Sequence, residues 1–190
     1  STGDDSVVPE QTVGLVAGVG HARVVGISDH LDHVHGPAFA AYRDTVRRHE
    51  LYLGVEVDGS AWIETALAHA GDLDYLLYHC RNHTSEYRGA ERLLDSGLPV
   101  IVSHPLAFGA DIARVPPECL LEVNNRYVWR SDWRCGFGPW VGRRRFVIGS
   151  DAHQPHWLGQ HIARHVADVL GITETVLLTP PSATAHHDGP

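Results

Sequence analysis

The sequence contains no lysine and no methionine, and it has only three cysteines among its 190 residues. All 15 of its Lys-or-Arg positions are therefore arginines. They are outnumbered by 23 acidic residues, so the formal net charge is −8 at pH 7. Because an acidic chain has no long-range attraction for a phosphate backbone, nucleic acid is disfavoured as a partner.

The cysteines, Cys80, Cys119 and Cys135, are widely spaced and odd in number. This pattern argues against a disulfide framework and against a thiolate zinc ribbon. No apolar run approaches the ~18 residues of a membrane span. The acidic residues 1–5 also lack the apolar core of a signal peptide. The sequence therefore predicts a protein of the reducing cytoplasm that does not enter a membrane.

The overall composition, 43% hydrophobic and 20% charged, is that of an ordinary globular domain. We expect one domain over residues 1–179 and a disordered tail over 180–190. A chain of this size buries roughly 70% of its unfolded surface, enough for a single core.

Short aliphatic segments alternate with helix-like stretches. The segments are residues 22–30, 52–58, 75–80, 99–105, 119–125, 145–151 and 174–179. Continuous apolar runs of this length are typical of strands buried on both faces of a parallel sheet. The helix-like stretches between them are residues 36–50, 60–70, 84–96 and 157–170, with proline or serine near their starts and glycine after several ends. The pattern predicts an α/β protein.

Most of the aliphatic segments end in a polar residue, and these residues recur with a period. Successive members of this series are 20–27 residues apart: His30, Glu56, His79, His104, Asn124 and Asp151. Asp5 lies 25 residues before His30. A parallel barrel gathers the carboxyl ends of its strands at one mouth. The predicted metal ligands are Asp5, His30, Glu56, His79, His104, Asp151 and His153.

Imidazoles mixed with carboxylates suit zinc, manganese or iron, and a carboxylate such as Glu56 can bridge two ions. The alternative is that each histidine is an ordinary core or surface residue satisfied by backbone groups. That alternative is the commoner one for a single histidine. The same alternative is disfavoured for all seven predicted ligands together, because burying their charges without a partner or a metal costs too much free energy.

Five short motifs lie at the ends of the aliphatic segments: Ile27–His30 (ISDH), 54–57 (GVEV), 103–105 (SHP), 121–125 (LEVNN) and 149–153 (GSDAH). In order and spacing they resemble the motifs of the PHP (polymerase and histidinol phosphatase) family. The resemblance covers nearly the whole chain. It implies a distorted seven-stranded TIM-like barrel with two or three divalent ions (Zn, Mn or Fe), used to hydrolyse phosphate esters.

The resemblance also implies an assignment of ligands. One ion would take Glu56, His79 and His104, and a second would take Asp5, His30 and His153. A third would take Glu56 and Asp151 with two histidines of an opening His-x-His. That motif and its strand, the first of the barrel, are missing before Ser1, which we interpret as an N-terminal truncation or a mis-set start. A degenerate relative is the alternative.

The sequence thus predicts an enzyme that cleaves a small phosphate ester with a metal-bridged hydroxide, with Asp151 and Glu56 as catalytic residues. His33, Arg126 and Arg130 are candidates for substrate binding. The alternative for Arg126, Arg130 and Arg134 is a short amphipathic helix with solvated guanidinium groups, and we also expect 143–145 to be solvated. Competing functions are a non-catalytic binding module and a hydrolase or nuclease acting on another bond. The oligomeric state is left open.

Overall fold

The computed structural model describes residues 13–22 and 24–178. Its sheet has six strands, all parallel and ordered as in the chain. They are Gly26–His30 (β1), Tyr52–Asp58 (β2), Tyr75–His79 (β3), Val100–Val102 (β4), Leu120–Asn124 (β5) and Phe146–Gly149 (β6).

Seven α-helices accompany the sheet in the described residues. They are Val13–Ala17 (α1), Leu31–Val34 (α2), Pro37–Arg48 (α3), Ile63–Ala68 (α4), Thr84–Leu94 (α5), Trp133–Phe137 (α6) and His161–Leu170 (α7). Local sequence explains two of their ends. Pro37 occupies the first turn of α3, where its missing N–H costs nothing. Gly171 ends α7 in the left-handed conformation, with φ 70°.

The predicted seven-stranded barrel is wrong for the described residues, which form a six-stranded, curled half-barrel. The segment predicted as a strand at 174–179 joins β6 through a single bridge between Phe146 and Glu174. The Thr175 N–H donates to the Phe146 carbonyl over 2.7 Å, and Val176 is then 69% exposed. The segment pairs with β6 at this one bridge, and Leu177 and Leu178 then pack against the inner face without forming a seventh strand.

The two faces of the sheet carry different cores. One face packs against the helices in the main hydrophobic cluster, to which Leu53, Val55, Leu76 and Val123 belong. The other face holds a smaller cluster of buried residues, Tyr75, Ile101 and Leu120. Since side chains alternate along a strand, Glu122 and Asn124 share the face of Leu120. Polar side chains therefore lie on the inner face toward the carboxyl ends of the strands, above an apolar floor.

Two glycines make room for the largest side chain of that floor. A Cβ atom on Gly26 would lie 2.6 Å from the Tyr75 hydroxyl, and one on Gly54 would lie 2.5 Å from the Tyr75 ring. The Tyr75 ring thus lies across β1 and β2, and a side chain at position 26 or 54 would collide with it. It closes the inner face below the polar groups.

The prediction that residues 143–145 are solvated is wrong for Arg144. Its guanidinium group donates to four backbone carbonyls, those of Ile112, Val115, Pro116 and Cys119, over 2.7–3.5 Å. The carbonyls belong to the irregular segment before β5, and Arg144 ties this segment to the chain just before β6.

Among the described residues, no helix is both long enough and apolar enough to cross a membrane.

Candidate metal centre

The first group of predicted ligands comes from neighbouring strand ends. His30 and His79 are the last residues of β1 and β3, and Glu56 lies near the end of β2. In the parallel register His30 stands beside Glu56, and Asp58 stands beside His79. His104 follows β4 by two residues. The sheet therefore brings these side chains to one level.

Three imidazoles point the same nitrogen at one carboxylate. His79 Nε2 lies 2.5 Å from Glu56 Oε1, His30 Nε2 lies 3.4 Å from Oε2, and His104 Nε2 lies 3.5 Å from Oε1. Ligand atoms of His30, Glu56 and His79 all lie within 4.8 Å of one another. This spacing is of the size that a single metal ion spans.

Burial and charge shape the proton affinities of this group. Burial opposes the ionisation of Glu56, but His104, His79 and the nearby His30 outweigh it, so its pKa lies well below the ordinary value. Burial likewise opposes protonation of His79, yet Glu56 and Asp58 raise its pKa. The Nε2 atom of His79 is buried against Glu56 Oε1.

Asp58 holds the other nitrogen of His79. Its Oδ1 atom lies 3.3 Å from His79 Nδ1 and 2.8 Å from Arg81 Nη2. Burial raises the pKa of Asp58, but Arg81 and His79 outweigh it and leave a net lowering. A carboxylate on the second nitrogen is the usual way to orient a metal-binding histidine. Sequence reasoning missed Asp58, although its place two residues after Glu56 on the same strand was the available signal.

An aromatic ring borders the group on its open side. The Phe108 ring lies 4.9 Å from that of His79 and 4.7 Å from that of His104, measured between centroids. The Arg81 guanidinium carbon is 5.0 Å from the Phe108 centroid. Phe108 is 37% exposed, so it faces the solvent at the mouth of the site.

The second group of predicted ligands lies beyond β6. His153 Nδ1 is 3.3 Å from Asp151 Oδ1. Arg126 Nη1 approaches both, at 3.0 Å from His153 Nδ1 and 3.6 Å from Asp151 Oδ1. The Arg126 guanidinium also lies over the rings of Tyr127 and Trp157, at 5.1 and 5.0 Å. The structure thus places Arg126 against two predicted ligands.

Glu122 and Asn124, two buried residues of β5, lie between the two groups. Asn124 belongs to the strand-end series of the sequence, but neither residue is among the predicted site residues. Glu122 Oε2 accepts hydrogen bonds from the His104 N–H at 2.8 Å and from Asn124 Nδ2 at 2.9 Å. The same Asn124 nitrogen lies 3.2 Å from Asp151 Oδ2. Burial, with the charge of Asp151, raises the pKa of Glu122 to about 7 despite the opposing effect of His104.

Two predicted ligands have unusual backbone conformations. The φ angles of His104 and Asp151 are 28° and 52°, in or near the left-handed region. A residue other than glycine held there costs about 1–3 kcal/mol, and such strain persists only where the surroundings enforce it. Each residue lies two positions after the end of a short strand, β4 or β6, where the chain turns away from the sheet.

The remaining predicted site residues are less closely involved. Asp5 lies outside the described residues. The exposed His33 has its ring centroid 5.8 Å from that of His30 and pairs with Asp32. Arg130 is exposed and lies over the rings of Trp129 and Tyr127.

The single amphipathic helix considered for Arg126, Arg130 and Arg134 is not formed. Val128–Arg130 is a 3₁₀ turn, and α6 begins only at Trp133. Asp132 accepts a hydrogen bond from the Cys135 N–H and so caps a new helix. The three arginines therefore do not lie on one helix face.

A cavity of about 550 Å³ lies over the inner face of the sheet and reaches Glu56 on one side and Asp151 and His153 on the other. Its polar part is formed by Glu56, Glu122, Asn124, Asp151 and His153, and its apolar part includes Leu77, Ile101 and Val147. The volume lies in the range of small-molecule sites.

No family model matches the chain, and no curated protein is matched by it.

Proposed function

We propose that this protein is a metal-dependent hydrolase of the PHP type that cleaves a small phosphate ester. The observation that carries the proposal is the convergence of three imidazole Nε2 atoms, from His30, His79 and His104, on the carboxylate of Glu56. An ordinary buried ion pair accounts for one histidine. It gives no reason for a second and a third to present the same nitrogen to the same carboxylate.

The donor set fits divalent zinc, manganese or iron, since it consists of imidazoles and carboxylates without a thiolate. His30, Glu56 and His79 would hold one ion, with His104 Nε2 3.5 Å from the same carboxylate as a further donor. Asp151 and His153 would contribute to a second site, with Asp5, outside the described residues, as a further predicted ligand. When bound, such ions lower the pKa of water and neutralise charge on a phosphoryl oxygen.

The protein's own groups have separate roles in this proposal. The guanidinium group of Arg126 has donors that match two oxygens of a phosphate group, and its stacking on Tyr127 and Trp157 limits its motion. The side chain of Asp151 is 10% exposed, and its Oδ1 atom serves as the proton acceptor. Phe108 at the mouth limits access of bulk water to His79 and His104.

We also propose that the protein works in a reducing compartment, such as the cytoplasm. Its three cysteines are unpaired, and Cys80 and Cys119 are buried. Burial is the main cause that raises the pKa of both thiols to about 12, so neither is a ready nucleophile or disulfide partner.

The test compares Glu56→Gln with Glu86→Gln. Glu86 is a buried carboxylate outside the site that accepts a hydrogen bond from the Tyr78 hydroxyl over 3.1 Å. We expect wild type and Glu86→Gln to retain two or three ions per chain by elemental analysis and to hydrolyse p-nitrophenyl phosphate. Glu56→Gln should lose both metal and turnover.

Other results separate the competing functions. Full metal occupancy and turnover in Glu56→Gln would contradict the proposed centre. Wild-type turnover of an amide or an oligonucleotide instead of the phosphate monoester would assign another bond. Bound metal without turnover of any of the three would indicate a binding module.

A further inference from the structure

The inner face of β5 changes character along its length. Leu120 is part of the apolar floor, whereas Glu122 and Asn124 are only 4% and 2% exposed. A buried carboxylate and a buried amide are costlier to fold than apolar side chains of similar size. They occur only at the level where the predicted ligands of β4 and β6 leave the sheet.

The contacts of these two residues lead to those ligands. Glu122 accepts the N–H of His104, and Asn124 Nδ2 donates to Glu122 and lies within hydrogen-bond distance of Asp151. The amide oxygen of Asn124 accepts the N–H groups of Arg126 and Tyr127, at 2.9 and 3.1 Å. Hydrogen bonds at both the nitrogen and the oxygen of its amide group thereby fix the Asn124 side chain.

Gly149 on β6 provides the space for this arrangement. A Cβ atom at Gly149 would lie only 1.8 Å from Glu122 Oε1. Any other residue at this position would force the Glu122 carboxylate to shift. The small residue of β6 and the carboxylate of β5 therefore form one unit.

We propose that Glu122 and Asn124 act as a clamp that positions His104 and Asp151 for metal binding. This inference rests on the proposed function, because it assumes that these residues are ligands. The clamp fixes the strained backbone of His104 through its N–H and the carboxylate of Asp151 through its oxygen. Glu122 is thus a positioning residue and does not itself bind the ion.

The test uses Co(II) as the probe, added to the full chain after metal removal, with affinity measured by chelator competition and geometry by visible absorption. Glu122→Gln keeps an acceptor oxygen for the His104 N–H, whereas Glu122→Leu removes it. We expect Glu122→Gln to bind Co(II) as wild type does. Glu122→Leu should bind about 10- to 100-fold more weakly, with altered absorption bands.

Glu86→Leu is the control for the loss of a buried carboxylate, and it should lower the melting temperature without changing the Co(II) spectrum. If Glu122→Leu does not fold, Asn124→Ala takes its place with the same expectation. A wild-type spectrum and affinity in the folded variant would overturn the clamp. Failure of the wild type to bind Co(II) would instead overturn the proposed function.

Discussion

At the scale of single residues, the two nitrogens of His79 have different partners. Its Nε2 faces Glu56, and its Nδ1 faces Asp58, which also pairs with Arg81. An acceptor on Nδ1 fixes the tautomer that leaves a lone pair on Nε2 for a metal. The orientation of His79 therefore depends on a side chain that does not belong to the ligand set.

We predict that Asp58→Asn weakens metal binding about tenfold, because the amide is a poorer acceptor and no longer enforces this tautomer. Isothermal titration with zinc measures the change. Arg81→Gln is the matched control, since it removes the other partner of Asp58 and leaves the contact with His79. If both variants lose the same zinc affinity, the effect comes from the Asp58–Arg81 ion pair and not from the contact between Asp58 and His79.

The residue types indicate the candidate ligands but not the residues proposed to position them. His30, Glu56, His79 and His104 were predictable because imidazole or carboxylate at successive strand ends has few structural explanations. The role of Glu122 depends on a backbone N–H of His104 and on the absence of a side chain at Gly149. Gly149 belongs to the motif at 149–153, but the sequence does not show that its missing side chain makes room for Glu122.

At the scale of elements, the pairing of β1, β2 and β3 depends on the fit between Tyr75 and the glycines opposite it. Gly54 lies in the middle of β2, where glycine is ordinarily unfavourable because it has no side chain to pack. Here the Tyr75 ring occupies that volume. The packing that Gly54 fails to provide in β2 is thus supplied by the Tyr75 ring of β3.

We predict that Gly54→Ala destabilises the protein by about 1–3 kcal/mol, the usual effect of overpacking a core. Urea unfolding monitored by circular dichroism measures it. Gly71→Ala is the control, because a Cβ there meets no atom within 4 Å. Adding Tyr75→Leu to Gly54→Ala should recover part of the loss; a double variant as unstable as the sum of the single ones would contradict the steric explanation.

The elements were predictable where two signals agreed. Six of the aliphatic segments are strands, and each also has a following turn or helix that brings the chain back. The segment at 174–179 has the same apolar pattern but bridges β6 at only one residue. The apolar pattern of a segment indicates which side chains it would bury as a strand. It does not show whether another strand is close enough to pair with it.

At the scale of the whole molecule, the buried charges make stability depend on pH. The lowered pKa of Glu56 stabilises the fold above its ordinary value of 4.5, and this contribution is lost as the pH falls through the lowered pKa. The raised pKa of His79 stabilises the fold below 6.5, and this contribution is lost as the pH rises through the raised pKa. The two contributions coexist between these values.

We predict that, in metal-free protein, His79→Gln lowers the free energy of unfolding more at about pH 6 than at about pH 9. Above the raised pKa the wild-type imidazole is neutral, so less stabilisation is left to lose. Denaturant unfolding at the two pH values provides the comparison. A difference that grows with pH would contradict the ion pair.

The order of the strands in the sheet is their order in the chain, and this has a consequence for synthesis. A ribosome releases the chain from its amino end, so β1 to β4 can pair in sequence and bring His30, Glu56, His79 and His104 together while later residues are still being made. Asp151 and His153 follow last. We expect the nascent protein to acquire metal affinity in two steps, with the second gained only after β6 has left the exit tunnel.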